Sequence, residues 1–123
     1  MLRQYNLLEN ILTDIEKGIG KGIYSGSLAE KHALSEGHLR KLFRLTFKRS
    51  LGRYIRSRRL TASINDLLKS NSNILDIALK YGFCYEQSYI NAFKREFKMT
   101  PGNFRKSAQI VKAIPLNKMY YSL

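Results

Sequence analysis

Leu39-Arg40-Lys41-Leu42-Phe43-Arg44-Leu45-Thr46-Phe47 is echoed fifty residues on by Tyr89-Ile90-Asn91-Ala92-Phe93-Lys94-Arg95-Glu96-Phe97, and this duplication decides the fold. Leu39, Leu42, Phe43 and Phe47 have the i, i+3, i+4, i+8 spacing that gathers apolar side chains on one stripe of a helix, and so do Tyr89, Ala92, Phe93 and Phe97. The opposite stripe of the first copy carries Glu36, Arg40, Lys41 and Arg44; that of the second carries Glu86, Gln87, Asn91, Lys94 and Lys98. Each helix therefore has one side to bury and one side able to hydrogen-bond bases or pair with phosphates. Upstream of each lies a shorter helical stretch, Leu28 to His32 and Ile74 to Tyr81, separated from it by a tight break at Ala33-Leu34-Ser35 or Gly82-Phe83. Short helix, tight turn and polar-faced helix make a helix-turn-helix, and two copies suggest a monomer that reads two stretches of duplex DNA.

The bulk composition agrees. A chain of 123 residues, 44% of them apolar, can bury one ordinary core. Twenty-two Lys plus Arg against nine Asp plus Glu leave a net charge of +13, which favours a polyanion, nucleic acid ahead of an anionic membrane surface. The basic residues also cluster, at Arg40, Lys41, Arg44, Lys48, Arg49, Arg53, Arg56, Arg58 and Arg59. No apolar run approaches the roughly 20 residues of a membrane span, and the N-terminus lacks the pattern of a signal peptide, so a cytoplasmic protein is expected. The single Cys84 has no partner for an internal disulfide and is expected to be a small packing residue at the second turn.

Residues 2 to 17 form a first amphipathic helix with Leu8, Ile11, Leu12 and Ile15 on the core side. Four of the eight glycines follow between 18 and 26, which marks a loop; the segment has no G-x-x-x-x-G-K-[ST] and follows a helix rather than a strand, so it is not a phosphate loop. Ser27 is the expected N-cap of the next helix and Ser35 that of the first polar-faced one. A continuous pattern from Leu51 to Ser70 follows, built on Leu51, Tyr54, Ile55, Leu60, Ile64, Leu67 and Leu68. Such a helix spans roughly 30 Å, comparable with the ~34 Å between two reading helices one turn of B-DNA apart. Ser70-Asn71-Ser72-Asn73 stops it and caps its successor, and Thr100-Pro101 opens a last helix ending near Ser107. The tail with Pro115 and Tyr120-Tyr121 has no clear period.

Ser50-Leu51-Gly52-Arg53-Tyr54-Ile55-Arg56-Ser57-Arg58-Arg59-Leu60, then Ile74-Leu75-Asp76-Ile77-Ala78-Leu79-Lys80-Tyr81-Gly82-Phe83, then Phe93-Lys94-Arg95-Glu96-Phe97 and Thr100-Pro101-Gly102-Asn103-Phe104-Arg105 together resemble the AraC/XylS family of bacterial transcription regulators, over about residues 5 to 107. The chain looks most similar to the small stand-alone members of the MarA, SoxS and Rob type. The resemblance implies an all-α fold of seven helices forming two helix-turn-helix subdomains joined by a long linker helix. The expected divisions are 1–51, linker 51–70, 71–107 and a tail at 108–123. It further implies a bacterial activator that binds asymmetric double-stranded DNA as a monomer, enters two successive major grooves and contacts RNA polymerase. Three departures mark the first reading segment, Ser35-Glu36-Gly37-His38-Leu39-Arg40-Lys41: an aromatic that some small members place against DNA is Gly37, the preceding Lys is Glu36, and the turn glycine is Ala33. In the second, Glu86-Gln87-Ser88-Tyr89-Ile90-Asn91, an Arg has become Asn91.

The base-contacting set is therefore Glu36, Arg40, Lys41, Glu86, Gln87 and Asn91, and the backbone-contacting set is Ser35, Arg44, Arg56, Arg58, Ser88, Lys94 and Lys98. Arg fits guanine O6 and N7 in two bonds, Gln and Asn fit adenine N6 and N7, and Glu accepts from a cytosine amino group. Arg53, Arg56, Arg58 and Arg59 cannot all face DNA from one helix; some pair with acids and some reach phosphates, which position without specifying. His32, His38 and Cys84 lack the company of a metal site, no cofactor motif is present, and no nucleophile-base pair suggests an enzyme. Two alternatives stand beside this reading: the output domain of a larger regulator of the same family, and a coating protein that covers nucleic-acid backbone without reading bases.

Overall fold

The computed structural model describes residues 2–112, and among them lie seven helices and no strand: α1 (Leu2–Gly18), α2 (Ser25–Lys31), α3 (Glu36–Phe47), α4 (Leu51–Lys69), α5 (Ile74–Lys80), α6 (Glu86–Phe97) and α7 (Pro101–Lys112). No helix among the described residues is long and apolar enough to cross a membrane. α2 packs on α1 and α3; α5 packs on α6, and α6 on α7; α4 runs between, touching α3 on one side and α5, α6 and α7 on the other. The result is two helix-turn-helix subdomains joined by a helix of 19 residues, about 28 Å long.

The duplication seen in the sequence extends to hydrogen bonds and ring contacts. The α2–α3 turn closes with the Leu34 N–H donating to the Ala29 carbonyl at 2.9 Å, and the α5–α6 turn with Phe83 N–H to the Ala78 carbonyl at 2.9 Å. Both are helix-ending motifs that require a left-handed residue. Gly82 supplies it at φ 87°, whereas Ala33 adopts φ 55° at a cost on the order of 1 kcal/mol. α3 and α6 both end on a left-handed lysine, Lys48 at φ 57° and Lys98 at φ 65°. The next helix of each half opens on a hydroxyl cap, Ser50 accepting from the Arg53 N–H at 3.2 Å and Thr100 from the Asn103 N–H at 3.2 Å. Phe43 meets Phe47 and Tyr54 at ring-centroid distances of 4.7 and 5.3 Å. Phe93 meets Phe97 and Phe104 at 4.6 and 5.7 Å. Even the anchoring acids correspond: Asp14 on α1 holds Lys31 at 2.9 Å and His32 at 2.7 Å, and Asp66 on α4 holds Lys80 at 2.9 Å. The Lys31 ammonium, aided by His32 and opposed by partial burial, draws the Asp14 carboxyl below its ordinary range.

Leu39, Phe43, Tyr89 and Phe93 are fully buried, as the two stripes require. Phe47 and Phe97, expected in the core, are only partly buried, because each is the last residue of its helix and packs against the core from its edge. α2 starts two residues before the expected cap: Tyr24 holds the cap position without a side-chain bond, and the Ser27 hydroxyl donates instead to the Tyr24 carbonyl at 3.0 Å. α7 continues past Ser107 to Lys112, so the division at 108 falls inside a helix; Pro115, Tyr120 and Tyr121 lie outside the described residues. Cys84 is exposed rather than packed, and Phe83 fills the second turn with its ring 5.4 Å from that of Tyr89.

One polar side chain sits in the core. Ser63 is 0% exposed, donates to the Leu60 carbonyl at 2.6 Å and accepts from the Tyr89 hydroxyl at 2.7 Å. The pair satisfies both hydroxyls where neither can reach water. Burial pushes the Tyr89 phenol up to about 12, against the opposing pull of Ser63.

Two outcomes follow from this packing. Phe93→Ala should cost about 3–5 kcal/mol in urea unfolding, and Phe97→Ala clearly less; equal costs would place the edge ring in the core. Because the folded-state pKa of Tyr89 is raised above its unfolded value, its neutral form stabilises the fold fully below pH 10 and this contribution is lost as pH rises towards 12. The difference in unfolding free energy between the parent and Tyr89→Phe should therefore narrow, or reverse, between pH 9 and pH 11 by about 1–2 kcal/mol; a pH-independent difference would contradict it.

Candidate nucleic-acid interface

Burying Leu39 and Phe43 turns the other side of α3 outward, and Glu36, Gly37, Arg40, Lys41 and Arg44 are all exposed. Ser35 caps this helix by accepting from the His38 N–H at 3.1 Å, which leaves its own O–H as a donor at the start of the exposed face. Glu36 and Arg40 form an i, i+4 ion pair, Arg40 Nη2 lying 2.9 Å from Glu36 Oε1, and Ser25 of α2 joins both, donating to Glu36 at 2.6 Å and accepting from Arg40 at 2.9 Å. The Ser25 hydroxyl, with Arg40 second, holds the Glu36 carboxyl below its ordinary range. This triad holds Arg40 by its Nε and Nη2 edge. Both partners are half exposed, so the pair is easily exchanged for a base. A Cβ at Gly37 would meet nothing within 4 Å, so the departure from an aromatic leaves an open notch beside Arg40.

On α6 the corresponding residues Glu86, Gln87, Ser88, Asn91, Lys94 and Lys98 are likewise exposed. The Gln87 amide donates to Asn91 Oδ1 at 2.8 Å, which fixes two amides side by side. Gln87 keeps its carbonyl oxygen and a second N–H, the complement that adenine N7 and N6 require. Tyr85, 72% exposed, stands at the N-cap of α6 without a side-chain cap, beside Glu86 and Gln87. Sequence reasoning passed over it, although an aromatic at a cap position is itself a signal.

Between α3 and α6 lies a half-open cavity of about 550 Å³, lined by Arg44 and Lys48 from the end of α3, Arg53 and Arg56 from α4, and Arg95 and Glu96 from α6. Arg49, Ser50 and Ser57 also line it, and Leu60 and Ala92 contribute apolar wall. Of the expected backbone-contacting residues the structure brings Arg44 and Arg56 to this cavity. It directs Arg58 elsewhere: Arg58 Nε bonds Glu16 of α1 at 2.6 Å, and that carboxylate raises the guanidinium pKa. Lys48, Arg49, Arg53 and Arg95 were absent from the expected set. The basic cluster at 40 to 59 announced the first three, but only folding brings Arg95 to them.

Comparison with known proteins places this geometry in context. A family model described as a helix-turn-helix domain matches residues 28–107. The probable transcription factor PqrA of Proteus vulgaris is 35% identical over 107 residues, covering 82% of this chain and 88% of that protein. The transcriptional regulator Rob of Salmonella typhimurium is 33% identical over 106 residues, covering 86% of this chain but 37% of its own length. The DNA-binding domain of AdpA, solved in complex with a target DNA, superposes with a TM-score of 0.78 over 88% of this chain and 97% of that one at 15% identity, a likeness of fold.

Proposed function

The chain belongs to the AraC/XylS family of helix-turn-helix transcription regulators, and we propose that it acts as a monomer whose α3 and α6 enter two successive major grooves of one duplex. The observation that carries this reading is the shared cavity. Arg44 continues the exposed stripe of α3 and Arg95 that of α6, and both meet Arg53 and Arg56 of α4 in one basic recess between the reading faces. Two helices in successive major grooves straddle one minor groove, whose paired phosphate backbones then face the protein between them. A recess with six cationic side chains, Arg44, Lys48, Arg49, Arg53, Arg56 and Arg95, and one carboxylate, Glu96, suits that stretch of backbone.

Base reading then falls to Arg40 and Lys41 in one groove and to Gln87 and Asn91 in the next, with Glu36 and Glu86 favouring cytosine amino groups and repelling misplaced phosphates. Lys94, Lys98 and Ser88 flank the second groove and contact its backbone. Arg58, turned to Glu16, leaves the phosphate set. On this reading residues 1–51 and 71–112, to the end of α7, are the two reading units and 51–70 is the linker. AarP of Providencia stuartii, 32% identical over 104 residues and named an HTH-type transcriptional activator, supports an activator; action on nucleoid DNA in the cytoplasm and contact with RNA polymerase belong to the same proposal. The relation to Rob, of which the match spans 37%, supports the alternative that this unit is the output domain of a larger regulator.

Arg40→Ala should weaken binding to a selected site by about 1–3 kcal/mol and relax preference at one end of the footprint, and Gln87→Ala should do the same at the other end, about one helical turn away. If both changes relax the same base pairs, the two helices do not read separate grooves. Arg53→Gln, Arg56→Gln and Arg95→Gln should each weaken specific and random duplexes alike and lower the slope of log K against log salt by about one. Arg58→Gln should leave that slope unchanged, and a full unit of loss there would return it to the backbone set.

A further inference from the structure

Three consecutive residues at the middle of α4 reach into both halves of the molecule. The Ser57 hydroxyl donates to Glu96 of α6 at 2.8 Å, and Arg58 pairs with Glu16 of α1. Arg59 Nη2 donates to the Ile23 carbonyl, in the loop that leads into α2. The same guanidinium lies against the second turn: a Cβ built on Gly82 would stand 3.3 Å from Arg59 Cζ and Nη1. A side chain at Gly82 would thus be strained by its φ of 87° and would press on the arginine that fills the space. Arg59 thus touches the approach to the first helix-turn-helix and the turn of the second at once.

This contact is not explained by stability. Arg59 is a partly buried cation whose Nε–H has no acceptor among the described residues, and Arg56 lies close enough to repel it. A desolvated charge with an unmet donor costs free energy, and an apolar side chain of similar size is commonly as good for folding. What the arginine supplies is a strut. α5, α6 and α7 all pack on α4, whereas α3 carries the first unit's main contact with it, so the first unit has fewer constraints on its angle to the linker. Arg58 to Glu16 and Arg59 to Ile23 add two ties from α4 to that unit, and Ser57 to Glu96 ties α4 to the second reading helix at the adjoining position.

We infer that Arg59 is a positioning residue that sets the distance and angle between α3 and α6, and through them the spacing of the two half-sites the protein accepts. The inference rests on the two-groove reading above. One inserted base pair shifts a half-site by about 3.4 Å and rotates it by roughly 35° about the duplex axis, a displacement that a braced pair of helices resists and a loosely hinged pair follows.

The test is a titration of the full chain against duplexes carrying the selected site with one base pair removed from, or one or two added to, the segment between its halves. The parent should prefer one spacing by about tenfold or more. Arg59→Met should keep the parent's helical circular dichroism and its base preference within each half, while its spacing preference falls to about twofold. Arg59→Lys, which can still reach one acceptor, should lie between. Arg58→Met weakens the neighbouring tie from the surface and should relax the preference about threefold, which keeps the test intact if Arg59→Met fails to fold. Loss of affinity by one common factor at every spacing, or a preference unchanged in whichever of these variants fold, would overturn the inference. A parent indifferent to spacing would overturn the two-groove reading itself, and this inference with it.

Discussion

Everything the two reading helices do depends on how they are rotated about their own axes, and an aromatic triad sets that rotation in each. Phe43 with Phe47 and Tyr54, and Phe93 with Phe97 and Phe104, lock one face of α3 and of α6 against the helix that follows. With 3.6 residues per turn, a buried stripe at one azimuth leaves the residues of the opposite azimuth exposed whatever they are. That is why Glu36 and Gly37 can stand where the resemblance has a Lys and an aromatic, and Asn91 where it has an Arg, with no consequence for the core. The buried stripe and the residues proposed to read bases lie on opposite sides of the same helices.

Charge is distributed by the same logic. With nine acidic residues against 22 basic ones, five of the acids serve as ties. Asp14 and Asp66 each fasten a helix to the one before it, Glu16 and Glu96 hold the middle of α4, and Glu36 aims Arg40. Six of the basic side chains gather at the cavity between α3 and α6 with one carboxylate among them. Surface ion pairs contribute little to stability on their own, so their main effect here is orientation, which a protein reading a rigid duplex needs more than extra stability.

Much of this was legible in the sequence because it is local. The two stripes, the caps at Ser35, Asn73 and Thr100, and the left-handed strain at Ala33 each involve residues within a few positions of one another. What escaped was long-range. Ser63 reads as a surface residue until Tyr89, 26 positions on, supplies its hydrogen bond. Arg56 and Arg58 look equivalent in sequence, but two positions on a helix differ by about 200°, which sends one to the cavity and the other to Glu16. Arg95 joins the basic recess only because α6 packs on α4. The start of α2 was misplaced for a different reason: burial of Leu28 and Ala29 extends the helix back over Gly26, against its propensity.

The central claim is that one chain covers two successive grooves of one duplex face. The most direct measurement combines hydroxyl-radical footprinting of the selected site with the mass of the same complex in solution. The account predicts two protected stretches about 10 base pairs apart on the same face of the duplex, with one protein chain in the complex. A single protected stretch, or two stretches that appear only when two chains are bound, would contradict it.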